Sequence, residues 1–539
     1  MSIRNASPEV LVRIDAQHKL GPCEQVWNWF GYDEPNYTDT ANGRKLIGSL
    51  ASLGGLAPRI RTHNLLTSGD GVPALKWGST DAYRETAAGE PDYHWPIMDR
   101  LFDTWVEAGA VPFIQAGFTP EALSRDPGPY RHGFSIDSPY KTITTGWASP
   151  PNDLGKWSGL IAAWARHLVD RYGADRVRDW PWEFWNEPDG FYWTGTIPEF
   201  YATYAATADA IRSVIPEARI AGPHTCGPHN NAKAETFLRK FLETWIAAPN
   251  GTAPALDFVA FHAKGKPEVE DGHVRMGLSN HLNNIRAGID IANSYPALDG
   301  LPIIVGESDP EGCAACPASL YPQNAYRNGP LYGIYVIEAT MRALEIAASS
   351  GRRIEGLVTW AFLFEDQPWF AGFRDLATNG VDKAVLNCFR LLGRLSGEYV
   401  ACASSGRLSL SDILDHGVRG APDIDAVATR DGTGMSILCW HYHDEDVPAP
   451  HARINLDISG IPAPSSVRRF SVDADHSNAY AAWQKMNEPQ RIEGSRLTTL
   501  QDAAKLAETD APLLSWRDGR LTGSISLPRQ GATLLRLEF

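Results

Sequence analysis

Apolar and polar positions follow two rhythms along this chain. From about residue 18 to 397, short β-branched or aromatic runs alternate with longer stretches in which apolar residues recur every three or four positions. The strand-like runs are "APRIRTHN" (57–64), "VPFIQAGF" (111–118), "DWPWEFWNE" (179–187), "ARIAGPHT" (218–225), "LDFVAFHAKG" (256–265), "LPIIVGES" (301–308) and "GLVTWAFLF" (356–364). An earlier run, "PCEQVWNWFG" (22–31), completes eight. Helices are predicted over 42–53, 97–109, 153–172, 197–214, 234–246, 277–294, 324–350 and 382–396. Eight strand–helix units predict an α/β fold of the (β/α)8, or TIM, barrel type over 18–397. A doubly wound open sheet would show a glycine-rich phosphate turn after its first strand, and none occurs.

From residue 398 the rhythm shortens to period two. "RDGTGMSILCWHYHDED", "HARINLDISGI", "SVRRFSVDAD" and "GSISLPRQGATLLRLEF" alternate and are separated by turn residues. This predicts an appended C-terminal β-sandwich over 398–539. The run "EVLVRIDA" (9–16) alternates in the same way, so the N-terminal segment 1–17 is expected to add a strand to that sandwich.

Bulk properties narrow the chemistry. With 539 residues, 43% hydrophobic and 21% charged, the chain has the composition of a globular protein with a large core. The net charge of −15 disfavours nucleic acid or an anionic membrane as a main partner. No apolar run of membrane-spanning length occurs. The start, "MSIRNASPEVLVRIDAQHK", lacks the apolar segment of a secretory signal, so a cytoplasmic location is expected. Seven cysteines, sparse and odd in number, fit a reducing compartment better than a disulfide framework. Cys313 and Cys316 form a single CxxC with no second pair at zinc spacing, which reads as a plain or incidentally oxidised pair. Eighteen tryptophans change the picture more. Indole faces stack well on the apolar faces of sugar rings, which raises the expectation of a carbohydrate ligand.

The strand ends carry the candidate chemistry. They read "RTHN", "QAGF", "WNEPD", "GPHT", "FHAKG", "VGESD" and "FLFED", and in a barrel these ends converge on one face. Solvated loops would explain one or two polar ends, not seven. Glu187 ends the fourth strand, because Pro188 cannot continue the ladder. Glu183, four residues earlier on the same face, lies a layer deeper and needs a cation such as Arg59 or Arg61. Glu307 ends the near-continuous apolar run of the seventh strand. Two carboxylates at strand tips suit glycoside hydrolysis, in which one protonates the leaving oxygen and the other attacks the anomeric carbon or activates water.

These residues resemble a known family. "WNEPD" on strand four with "VGES" on strand seven is similar to the clan-A retaining glycosidases, and more specifically to glycoside hydrolase family 39, which includes β-xylosidases and α-L-iduronidases. "RIRTHNLL", "LDFVAFHAKG" and "VDADHSNAYAAWQKM" extend the resemblance over nearly the whole chain. The resemblance implies Glu187 as general acid/base, Asn186 as a contact to the sugar 2-OH, and Glu307 as nucleophile. It implies double displacement on a short oligosaccharide, with no metal or organic cofactor. A β-xylosidase is the expected activity.

Two departures bear on specificity. Where many β-xylosidases of the family carry Glu-Tyr-Asn, this chain has Glu307-Ser308-Asp309, and Asp309 becomes a candidate sugar contact. Lys264 in "FHAKG" resembles the iduronidase branch, where the lysine binds the substrate carboxylate, so hydrolysis of uronosides or of L-arabinosides is the alternative. Further candidate sugar contacts are His63 and Asn64 on strand two, His262 on strand six and Trp360 on strand eight. Phe118, Trp29 and Glu365 complete the expected wall. The non-enzymatic alternative is a barrel that only binds carbohydrate.

Overall fold

The computed structural model describes residues 7–137, 145–247 and 256–539. Residues 1–6 of the N-terminal segment therefore lie outside the described residues.

All eight barrel strands form where the short apolar runs predict them. In order they are Trp29–Tyr32, Arg59–Thr62, Val111–Ala116, Trp182–Phe184, the two pieces Ile220–Ala221 and Pro223–Thr225, Val259–Lys264, Ile303–Asp309 and Ile354–Trp360. Each pairs in parallel with its neighbours. The fifth strand is split. Its first piece pairs with strand four and its second with strand six, so the two pieces bring the ends of the nine-stranded sheet together. Eight long helices follow the strands, from Ala41–Ala51 to Ala384–Leu392. Their caps are local. Thr40 accepts from the Gly43 amide, Asp153 from two amides, and Thr196 with Glu199 forms a capping box.

The region after 398 hydrogen-bonds as one continuous sheet of ten strands. The order is Ala507–Thr509, Ser466–Val472, Gly531–Glu538, Gly434–Tyr442, Asp423–Arg430, Glu398–Ser404, Glu9–Pro22, Ala452–Ser459, Arg520–Leu527 and Leu514–Arg517. Glu9–Pro22 sits near the middle, antiparallel to Glu398–Ser404 and parallel to Ala452–Ser459. Its alternation works as period two requires: Val10, Val12, Ile14 and Ala16 are buried in an apolar core of the sheet's own. The helix Pro330–Ser350 ties this sheet to the barrel. Arg342 on that helix pairs with Glu338 at 2.8 Å and with Asp423 of the sheet.

Period-two reading misses the helices Leu410–His416, Ala479–Lys485 and Ser495–Ala503. Each is under three turns long, too short for a 3.6-residue rhythm to stand out. Cys313 and Cys316 form a disulfide, while the other five cysteines are free thiols. No helix among the described residues is long and apolar enough to cross a membrane.

Candidate active site

Side chains alternate along a strand, so residues two apart share a face. On strand seven Glu307 and Asp309 both point inward, and on strand six His262 and Lys264 do the same. The two strands are in register there, His262 opposite Glu307 and Lys264 opposite Asp309. Lys264 Nζ donates to Glu307 Oε2 at 2.7 Å and to Asp309 Oδ2 at 2.5 Å.

Strand four ends differently. After Phe184 the backbone turns into the left-handed region at Trp185 (φ 67°) and again at Glu187 (φ 39°). Such conformations are unfavourable for large side chains and cluster where surrounding structure over-determines them. Here the Glu187 amide donates to His224 O at 2.9 Å, and Gly190 N closes a turn on Glu187 O at 2.9 Å. The turn lifts Glu187 to the mouth, where it pairs with His262 Nδ1 at 2.9 Å. Glu187, His262 and Glu307 bring their reactive atoms within 4.8 Å of one another. Among the described residues this is the one grouping of His and carboxylate compact enough to share an ion. Lys264 and Arg61 already neutralise Glu307, so the set is compensated by the protein's own cations.

Arg61 is the hub beneath. Its Nε reaches both Glu183 oxygens at 2.7 and 2.9 Å. Its Nη1 donates to Gly306 O at 3.2 Å and Glu307 Oε1 at 3.3 Å, and its Nη2 to Asn186 Oδ1 at 3.0 Å. The guanidinium also lies 4.8 Å over the Trp360 ring. Gly31 and Gly306 make room for these groups. A Cβ on Gly31 would come 2.3 Å from the Trp360 ring, and one on Gly306 2.1 Å from His224 Nδ1.

The two carboxylates are driven apart electrostatically. Burial pushes Glu187 up, the negative charge of Glu307 pushes it further, and together they outweigh Lys264 to bring it to about 7. Burial also pushes Glu307 up, but the cations Lys264 and Arg61 outweigh it and hold Glu307 well below the usual carboxylate range. At neutral pH one group can give a proton and the other is ionised. Burial keeps His262 neutral, well below its ordinary value.

A cleft of about 360 Å³ opens over this pair. Glu187, Glu307, Lys264 and Trp360 line it, along with Asp33, Lys76, Tyr192, Cys226, His229 and Asn284. Of the expected contacts, His262 and His63 reach the lining carboxylates Glu187 and Glu307, and Asn186 is buried and held by Arg61. His63 Nδ1 pairs with Asp33 at 2.8 Å, and its Nε2 faces Glu307 Oε1 at 3.8 Å.

Five expected contacts are elsewhere. Asp309 is fully buried and spent on Lys264 and the Trp360 amide. Asn64 holds the Asp33 carbonyl at 2.8 Å. Phe118 packs behind Tyr192, between Trp147 and Trp185. Trp29 is level with Arg59, four residues before Asp33 at the strand's tip, and packs on Phe113 inside the barrel. Glu365 accepts from Thr40 and Asn42 at a helix start. Being at a strand end is thus insufficient: each of these side chains is taken up by protein partners.

Sequence reasoning passed over Asp33, Lys76, Arg61 as more than a partner for Glu183, and Cys226. Asp33 at the tip of strand one could have been found by the same strand-end rule. Lys76, whose Nζ pairs with Asp33, comes from a long loop with no periodic signal.

Comparison with known proteins agrees with this architecture. The family model for glycosyl hydrolases family 39 matches residues 10–522. A β-xylosidase of Geobacillus stearothermophilus is 25% identical over 506 residues, covering 89% of this chain and 86% of that protein. An α-L-iduronidase of Canis lupus familiaris is 24% identical, covering 98% of this chain and 78% of that protein. The crystal structure of a monomeric β-xylosidase from Caulobacter crescentus CB15 superposes with a TM-score of 0.77 at 21% identity, covering 98% of this chain and 99% of that one.

Proposed function

The chain belongs to glycosyl hydrolase family 39, and from that premise we propose that it is a retaining exo-glycosidase, a β-xylosidase of short oligosaccharides. The observation that carries this reading is the pair Glu187 and Glu307, within 4.8 Å of each other, one near neutral pKa and the other ionised. Retaining enzymes hold their carboxyls about 5–5.5 Å apart, whereas inverting enzymes leave about 6.5–9.5 Å for a water.

In the first step ionised Glu307 attacks the anomeric carbon while Glu187 protonates the departing oxygen. In the second, Glu187, now a carboxylate, takes a proton from water, and water displaces Glu307. Asn186, fixed by Arg61, presents its amide NH2 to the sugar 2-OH. Trp360 offers the ring face, and Lys264 holds the nucleophile ionised. The small cleft favours an end sugar over a chain interior. The barrel, 18–397, carries the chemistry, and the β-sandwich, 398–539 with the N-terminal strand of segment 1–17, is a structural flank.

A panel of nitrophenyl glycosides tests the reading. The β-D-xylopyranoside is expected to turn over fastest, and proton NMR is expected to show the β-anomer as the first sugar released. Faster turnover of uronosides, lost in Lys264→Ala, would replace xylose by a uronic acid. An α-anomer first would replace retention by inversion.

A further inference from the structure

The polar groups along the cleft stand in a row. Glu187 meets His262 Nδ1 at 2.9 Å, His262 Nδ1 lies 3.9 Å from Glu307 Oε1, and that oxygen lies 3.8 Å from His63 Nε2. His63 Nδ1 then donates to Asp33 Oδ1 at 2.8 Å, and Lys76 Nζ pairs with Asp33 Oδ2. Glu187 is one end of the row, and Asp33 with Lys76 is the other. The far end is held in place by many ties. Lys76 sits in the left-handed region (φ 55°), its amide donates to Glu34 Oε1 at 2.6 Å, and His132 Nε2 donates to its carbonyl at 2.7 Å. With the ion pair to Asp33, three partners over-determine one strained residue. Asp33 also accepts from the Trp360 indole N–H at 3.3 Å, and Asn64 fixes its carbonyl at 2.8 Å. Asp33 and Lys76 keep side-chain exposures of 6% and 9%, and both line the cleft. Beside them His63 Nε2 is buried with no hydrogen-bond partner among the described residues, the mark of a place that a ligand completes.

Resting on the reading of Glu187 and Glu307 as the hydrolytic pair, we propose that Asp33 and Lys76 read the free end of the sugar chain. With C1 over Glu307 and the leaving oxygen at Glu187, a single pyranose ring points its 3-OH and 4-OH toward the far end of the row. An ionised carboxylate accepts hydrogen bonds and gives none, and an ammonium gives them and accepts none. Side by side they fit a vicinal diol: one hydroxyl donates to Asp33 and its neighbour accepts from Lys76. Charged partners make both bonds stronger than neutral ones would be. A unit inside a chain, linked through either of these oxygens, has no hydroxyl there and brings the next sugar against the ion pair. The pair therefore selects terminal sugars with both hydroxyls free, which makes the site act from the chain end.

Deoxy substrates test the pair. The nitrophenyl glycoside that turns over fastest is compared with its 3-deoxy and 4-deoxy forms in the wild-type chain, Lys76→Met, Lys76→Arg and Asp33→Asn. In the wild type each deoxy form is expected to lose about 10- to 100-fold in kcat/KM, the range for a hydrogen bond to a charged group. Lys76→Met and Asp33→Asn are each expected to abolish the penalty for one of the two forms, and Lys76→Arg, which keeps a cation, is expected to retain both penalties. The ratio is taken within each variant, so it does not depend on how much of that variant folds, and a merely structural role would lower parent and deoxy substrates alike. Wild-type turnover that ignores both deoxy positions, or penalties that stay unchanged in Lys76→Met and Asp33→Asn, overturns the proposal. If the wild type hydrolyses no glycoside, calorimetry of D-xylose against its 3-deoxy and 4-deoxy forms decides. A preference for D-xylose that Lys76→Met loses supports the diol contact and refutes the hydrolase reading, whereas equal or absent binding overturns the contact as well.

Discussion

The barrel interior holds two layers of carboxylate, and they are treated in opposite ways. In the deeper layer Glu183 has no exposure at all, and Arg61 grips both its oxygens while His224 Nε2 lies 2.7 Å away. Burial pushes its carboxyl up, but Arg61 and His224 outweigh that and leave it below the usual range. Four residues on, Glu187 keeps a side-chain exposure of 20%, and its near neighbours are a neutral histidine, a thiol and another carboxylate. Its carboxyl is left high. The residue type is the same and the strand is the same. What differs is the compensation: a complete ion pair makes a structural group, and a deliberately incomplete one makes a group that can release a proton near neutrality.

The comparison is tested most severely at the mouth. Glu307→Ala removes the proposed nucleophile and one contact of Arg61 while Glu183 keeps both its bonds to that arginine, and turnover is expected to fall below detection. Added azide should restore it and give a glycosyl azide of opposite anomeric configuration, since the small anion enters where the carboxylate stood. Near-normal activity in Glu307→Ala would remove the nucleophile assignment. Glu187→Ala is expected to cost about 10²–10⁴ in kcat/KM on poor leaving groups. The loss should shrink for aglycones acidic enough to leave unprotonated, and azide should here give retained configuration.

Moving one layer down should exchange activity for stability. Arg61→Met strands Glu183 in the dry interior and takes a cation from Glu307. It is expected to destabilise the fold by about 3–5 kcal/mol in urea unfolding, the range for breaking a buried pair from one side. Glu187→Gln, by contrast, should change stability by less than this while depressing activity more than any other conservative change on strand four. If both variants lost stability equally, the two layers would not be distinct.

This division was partly legible in the sequence. Glu187 and Glu307 announce themselves because each ends an apolar run, and Glu183 follows from counting four residues back along the same face. The requirement for Arg59 or Arg61 follows too, since a carboxylate there cannot stay unpaired. What periodicity does not carry is which tip residues turn toward the cleft. Asp309 satisfies every strand-end criterion and is nonetheless consumed by Lys264 and the Trp360 amide. Trp29 lies on the right strand but one layer too deep. Lys76 and Cys226 arrive on loops, where position is set by tertiary contacts rather than by rhythm. Lys264, for which a substrate carboxylate was the alternative reading, is occupied by two carboxylates of the protein.

The smallest effect concerns pH. Folding raises Glu187 from the usual 4.5 of a glutamate to about 7. Below pH 4.5 the group is protonated in both folded and unfolded chains. Between 4.5 and 7 the folded chain holds a proton that the unfolded chain has released, so stability falls as pH rises. The full span is up to about 3 kcal/mol, at 1.36 kcal/mol per unit. Relative to Glu187→Gln, the wild-type chain is therefore expected to lose stability across that window and to run parallel to it above pH 7. Glu183, held low, has the reverse sign: its stabilising share is present at neutral pH and is lost as pH falls below the glutamate range. A wild-type chain that held or gained stability relative to Glu187→Gln between pH 4.5 and 7 would mean that Glu187 is compensated as fully as Glu183, and the distinction between the layers would collapse.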